Sequence, residues 1–99
     1  MAGLFLRSEN MNIYDFADSL NKDIVLRRYA NQKGRFTADF EHCEIMRGGC
    51  LAGTYENGST AIEAINELTK KVSGNRIVFG AYTNERAEYN VPELELITK

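Results

Sequence analysis

One short segment, His42-Cys43-Glu44-Ile45-Met46-Arg47-Gly48-Gly49-Cys50, holds the only histidine and both cysteines of this 99-residue chain. Those residue types support three chemistries: a nucleophile–base pair, a zinc site and a redox-active dithiol. Spacing narrows the choice. Side chains on an extended strand alternate between faces, so His42 and Cys43 project to opposite sides and do not meet. His42 shares its parity with Phe36, Ala38 and Phe40, which places it toward the apolar face, at the border of a core. With a single histidine, every Ser-His or Cys-His pair must recruit that residue. The carboxylates are scattered, with no pair spaced for acid–base work. The chain is therefore expected not to be an enzyme.

Zinc is the metal-dependent alternative. Structural zinc sites draw on two close pairs of ligands, whereas His42, Cys43 and Cys50 offer three candidates on one hairpin. If Arg47-Gly48-Gly49 forms a three-residue turn, Met46 faces Cys50 and the thiols are not cross-strand partners. A bulge is then needed to bring them together, with Asp39, Glu41 or a second copy of the chain supplying the missing ligand. A disulfide is not expected, on geometry and compartment. The favoured reading is two small side chains beside a turn, with no cofactor.

Phosphate chemistry has little to stand on, since neither GxxxxGK[ST] nor GxGxxG occurs. The candidate nucleic-acid site is the stretch in which Arg27, Arg28, Lys33 and Arg35 flank Tyr29 and Phe36, because cations hold phosphates and aromatic rings stack bases. At strand parity, however, the aromatics alternate inward, as in an ordinary half-buried hairpin. The formal net charge of −2 also lacks the surplus of Lys and Arg that sequence-independent nucleic-acid binding requires.

The elements that position these residues follow from periodicity. Ile13, Phe16, Ala17 and Leu20 recur at helical spacing, with Asn12 as N-cap and Asp15 favouring the N-terminal dipole. A β-branched strand over 23–30, a turn at 31–34 and an alternating strand over 35–43 follow. After the glycine turn, a third strand over 50–56 completes an antiparallel meander. Thr60 and Glu63 form a capping box for a second helix whose buried stripe is Ile62, Ile65, Leu68 and Val72, with Glu67 and Lys71 paired on the wet side. Gly74 suits its C-cap. Strands from Arg76 and Ala87 finish the order α-β-β-β-α-β-β. The expectation is an α+β fold, a mostly antiparallel sheet packed by two helices.

Apolar content of 43% and charged content of 26% fit one globular domain. No run approaches the roughly 18 apolar residues that span a bilayer, and residues 1–10 are too short and polar for a signal peptide. A cytoplasmic, reduced protein is expected. Met11 opens the first helical pattern, and Arg7-Ser8 can be encoded with the core of a ribosome-binding sequence. Residues 1–10 thus read as a flexible extension before a domain over 11–99, with translation able to start at Met1 or at Met11.

Three resemblances follow from these motifs. The α-β-β-β-α order resembles the double-stranded-RNA-binding fold, whose RNA-binding members carry a lysine cluster where this chain has Thr60-Ala61-Ile62-Glu63. Gly58, Thr60, Glu63 and Ala64 resemble the G-x-T-x-x-E-A segment of HicB-type antitoxins, over roughly residues 35–72. HicB proteins usually begin with a strand, whereas this chain begins with a helix. The run from Gly34 to Ile65, with Ile77-Val78-Phe79-Gly80-Ala81-Tyr82, looks like small accessory proteins of phages of Gram-positive bacteria. That resemblance implies a counter-defence inhibitor in the bacterial host cytoplasm, binding a host or phage protein. An anti-CRISPR acting on a type II effector nuclease is its sharpest form. The HicB resemblance implies an antitoxin or nucleic-acid-binding regulator instead.

Overall fold

A computed structural model describes residues 11–30 and 35–98. The extension expected over residues 1–10 lies outside the described residues. Helix α1 (Ile13–Leu20) buries Ile13, Phe16 and Ala17. Its cap is reciprocal: Asn12 Oδ1 accepts from the Asp15 N–H at 2.9 Å, and the Asp15 carboxylate accepts from the Asn12 N–H at 3.1 Å. Left-handed Asn21 (φ 57°) ends the helix.

Seven strands follow the same chain order: β1 (Ile24–Arg28), β2 (Phe36–Phe40), β3 (Cys43–Arg47), β4 (Cys50–Gly53), β5 (Glu56–Gly58), β6 (Arg76–Phe79) and β7 (Ala87–Asn90). Helix α2 (Ala61–Val72) separates β5 from β6. The fold is α+β, and the strands form two antiparallel sheets, β1-β2-β5 and β4-β3-β6-β7. The strands expected on either side of the glycine turn are each divided, and the division has a register cause. Ala38 pairs with Glu56, and Glu44 pairs with Gly53. Between those pairs one arm carries residues 39–43 and the other only 54–55, so the long hairpin bends and changes sheet.

The surplus is taken up at Glu41-His42, where His42 adopts φ 57°. Parity changes there: Ala38 and Phe40 are buried before the bend, Cys43 and Ile45 after it. His42 is consequently a surface residue with its side chain 83% exposed, which corrects its expected place at the core border. Alternation cannot be carried through a bend that adds an unpaired step. The hairpin tip also differs from expectation. Gly48 (φ 53°) and Gly49 (φ 83°) form a two-residue loop that pairs Arg47 with Cys50 and Met46 with Leu51, as a turn with two positive-φ residues does.

Phe40 joins the layers. Its ring lies edge-on to Phe16 of α1 at 6.3 Å and to Phe79 of β6 at 5.7 Å. Helix α2 buries Ala64, Ile65, Leu68, Thr69 and Val72, while Ile62 is half-buried at the rim. Thr60 Oγ1 accepts from the Glu63 N–H at 3.0 Å, but the Glu63 carboxylate reaches the N–H and hydroxyl of Ser59 instead of Thr60. Those bonds hold the Glu63 carboxyl below its ordinary range. In place of a Glu67–Lys71 pair, Lys70 meets Glu67 at 2.8 Å and Lys71 reaches across to Glu56 at 3.2 Å. The C-terminal segment packs: Val91 and Leu94 are buried, and Ile97 exchanges two hydrogen bonds with Asn66.

Candidate functional site

Helix α2 packs on one face of the β1-β2-β5 sheet, burying Ala38 and Phe40 with Ala64 and Ile65. No described helix packs on the other face. Strand parity puts Val25 and Arg27 of β1 there, paired with Asp39 and Thr37 of β2. Tyr29 and Arg35 extend the row at one end, and Tyr55, Glu41 and His42 border the other side of a groove of about 540 Å³.

Each side chain is held by the local fold. The Arg35 guanidinium lies 5.1 Å from the Tyr29 ring centroid, a cation–π contact. Thr37 Oγ1 donates to Asn57 Oδ1 at 2.9 Å, tying β2 to β5. Lys71 Nζ sits 5.5 Å from the Tyr55 ring centroid and donates to the Tyr55 carbonyl at 3.3 Å. At the floor, Asp39 is half-buried and accepts a hydrogen bond from the fully buried Thr54 hydroxyl. Burial raises the Asp39 carboxyl above its ordinary value, outweighing the opposing effects of the Thr54 bond, the Phe40 backbone bond and Lys71.

The segment with the histidine and cysteines is spread apart by the bend. His42 is at the surface, with Nε2 3.8 Å from the Glu41 carboxylate. Cys43 is buried in the core, and Cys50 is exposed at the hairpin tip. Cys50 pairs with Arg47, four positions along β3 from Cys43, roughly 13 Å at the rise of an extended strand. The structure does not bring these three together, and no group of three or more His, Cys, Asp or Glu among the described residues is placed to hold a metal ion. Burial, with Asp39 adding like charge, pushes the Cys43 thiol up to about 12, so it is held as the un-ionised thiol at neutral pH.

Of the four candidate basic residues, Arg27 and Arg35 share the open face, while Arg28 has the opposite parity, with Phe36. Lys33 lies outside the described residues. Asp39 is visible in the sequence as a spare ligand on an alternating strand, and Thr54 and Tyr55 as positions in the strand expected over 50–56, with nothing to mark them as part of a site. Both fall at the division between β4 and β5, where alternation carries no information. No helix among the described residues is long and apolar enough to cross a membrane.

Comparison with known proteins finds no matching family model, no matching curated protein and no matching solved structure.

Proposed function

We propose that this chain is a non-catalytic docking domain that binds another protein through the open face of the β1-β2-β5 sheet. One observation carries the proposal. Val25 (39% exposed) and Tyr55 (51% exposed) stand with Arg27 and Tyr29 around the half-buried Asp39. Tyrosine and arginine around a partly desolvated centre are the side chains that dominate protein–protein interfaces.

In its sharper form, which draws on the resemblance to phage accessory proteins, the partner is a type II CRISPR effector nuclease and the domain is its inhibitor. The test is DNA cleavage by such a nuclease, titrated with the full chain and with a Tyr55→Ala/Arg27→Glu variant. Arrest by the parent chain is expected, with the variant at least about tenfold less potent, as for loss of interface anchors. Normal cleavage at saturating protein rejects the nuclease as partner, and equal potency of the variant rejects this face. The regulator alternative uses the same Arg27 and Arg35. A gel shift with RNA or DNA that collapses steeply with salt would favour it over protein docking.

A further inference from the structure

Strand β1 is an edge of its sheet: among the described residues it pairs with β2 alone. The hydrogen-bond phase of that pairing says which backbone groups are left. The Tyr29 N–H donates to the Arg35 carbonyl and the Glu41 N–H to the Asp23 carbonyl, both at 3.1 Å. These fix the odd-numbered residues of β1 as the ones bonded to β2. The N–H and C=O groups of Ile24, Leu26 and Arg28 therefore point away from the sheet.

The side chains along this edge are equally open. Val25 and Leu26, on opposite faces, are 39% and 45% exposed. Arg27 and Arg28 are exposed and make no ion pair with any described residue. The other edges are less suited. Strand β5 has three residues and β4 has four ending in Gly53. On β7, Glu88 is already clamped by Arg76 and Arg86, each at 2.8 Å.

We propose that the β1 edge is a strand-receiving site for an extended acidic segment of a partner protein. The segment's backbone pairs with Ile24, Leu26 and Arg28, an apolar side chain covers Leu26, and carboxylates meet Arg27 and Arg28. Main-chain bonds give such an interaction its affinity and the alternate side chains its specificity. Charge selects the occupant. A second copy could satisfy the same backbone groups about a two-fold axis at Leu26, but that register sets Arg27 and Arg28 opposite Val25 and Ile24 of the other copy, with no carboxylate directly across from either arginine. Charged residues on an edge strand also keep identical edges apart. An acidic strand turns the same arginines into attraction. The inference rests on the docking function proposed above and adds the chemistry of the partner; Val25 and Arg27 belong to both surfaces.

The test uses the full chain, isotope-labelled, with the capped peptide Glu-Glu-Val-Val-Thr-Glu-Glu. Its acidic ends serve either strand direction. Saturable amide shifts and slowed hydrogen exchange are expected at Ile24, Leu26 and Arg28. The Lys-for-Glu peptide and a backbone N-methylated peptide should bring neither. Arg27→Glu/Arg28→Glu should weaken binding at least about fivefold, with its other amide positions unchanged. Equal binding of the Lys peptide, or no slowed exchange at those amides, overturns the inference. So does protection in the free chain, which at low concentration means the chain covers its own edge and at high concentration means a second copy does. Shifts at Tyr29 and Tyr55 without edge protection overturn the edge pairing while leaving the docking face standing.

Discussion

The Thr54 hydroxyl donates to the Asp39 carboxylate across the bend of the long hairpin, joining the arm that is short of residues to the arm that has a surplus. Thr54 is fully buried, and its Oγ1 also lies 3.5 Å from the Cys43 carbonyl. One side chain therefore faces both sheets at the point where the strands change partners. Replacing it with valine keeps the shape but removes the side-chain donor to Asp39, leaving only the Phe40 backbone bond, so Thr54→Val is expected to cost about 1–3 kcal/mol. Urea denaturation measures this, and an unchanged midpoint would show the bond to be dispensable.

Asp39 carries a pH signature of definite sign. Its folded carboxyl is raised by burial above the ordinary value of 3.8, so the folded state holds that proton more tightly than the unfolded chain. The group's contribution is then fully present below pH 3.8 and is lost as pH rises through the higher folded value. Asp39→Asn retains an acceptor for Thr54 and removes the charge. It should melt higher than the parent at pH 7, with the difference closing in acid below the ordinary carboxyl range. Thermal melts across pH measure both, and a lower midpoint at neutral pH would mean the Thr54 and Lys71 interactions outweigh burial.

Phe40 predicts cooperativity. Because it touches Phe16 on α1 and Phe79 on β6, the two sheets share one core. Phe40→Ala should cost about 3–5 kcal/mol and lower stability everywhere at once. Far-ultraviolet dichroism and tyrosine fluorescence should report the same unfolding midpoint in parent and variant. Separate midpoints would mean that the sheets unfold independently.

The helices were legible in the sequence because their signals are local. Ile13, Phe16 and Ala17, and later Ile65, Leu68 and Val72, repeat at helical spacing, and each helix is preceded by a capping side chain. The bend was not legible, although it left a trace. Apolar residues fall on even positions through Phe40 and on odd positions from Cys43, and strand parity alone carries the first set on to His42 across the break. The basic residues of the candidate face could be found by type. Asp39 and Thr54 could not be paired, since they lie 15 residues apart and meet only through the altered register of the bent hairpin.

Two glycines of that hairpin should respond unequally to substitution. A Cβ on Gly58 would lie 2.8 Å from the Glu63 carbonyl carbon and closer still to the Ala64 nitrogen, both backbone of the first turn of α2. Neither can move without shifting the helix, so Gly58→Ala should cost about 2–3 kcal/mol. Gly48, at φ 53°, has no atom within 4 Å of an added Cβ. Asparagine tolerates that conformation, so Gly48→Asn should cost less than about 1 kcal/mol. Chemical denaturation of the two variants side by side checks the contrast, and equal losses would contradict the close approach of β5 to α2.

The thiols give the most direct test of the metal alternative. Cys43 is buried with its thiol pushed up to about 12, whereas Cys50 is exposed beside Gly49. In the native chain an aromatic disulfide reagent should modify Cys50 rapidly and Cys43 only at the rate of unfolding, since reaction needs an accessible thiolate. Cys50→Ser should abolish the fast phase and leave stability within about 0.5 kcal/mol. Zinc makes the opposite demand, because a site using His42, Cys43 and Cys50 must protect Cys50 and raise the melting temperature in proportion to bound metal. With Cys43 at one end of β3 and Cys50 on β4 beside its other end, added zinc should leave the fast phase and the melt unchanged. Protection of Cys50 together with a zinc-dependent rise in melting temperature would require the hairpin to refold around the metal, and would restore the zinc reading.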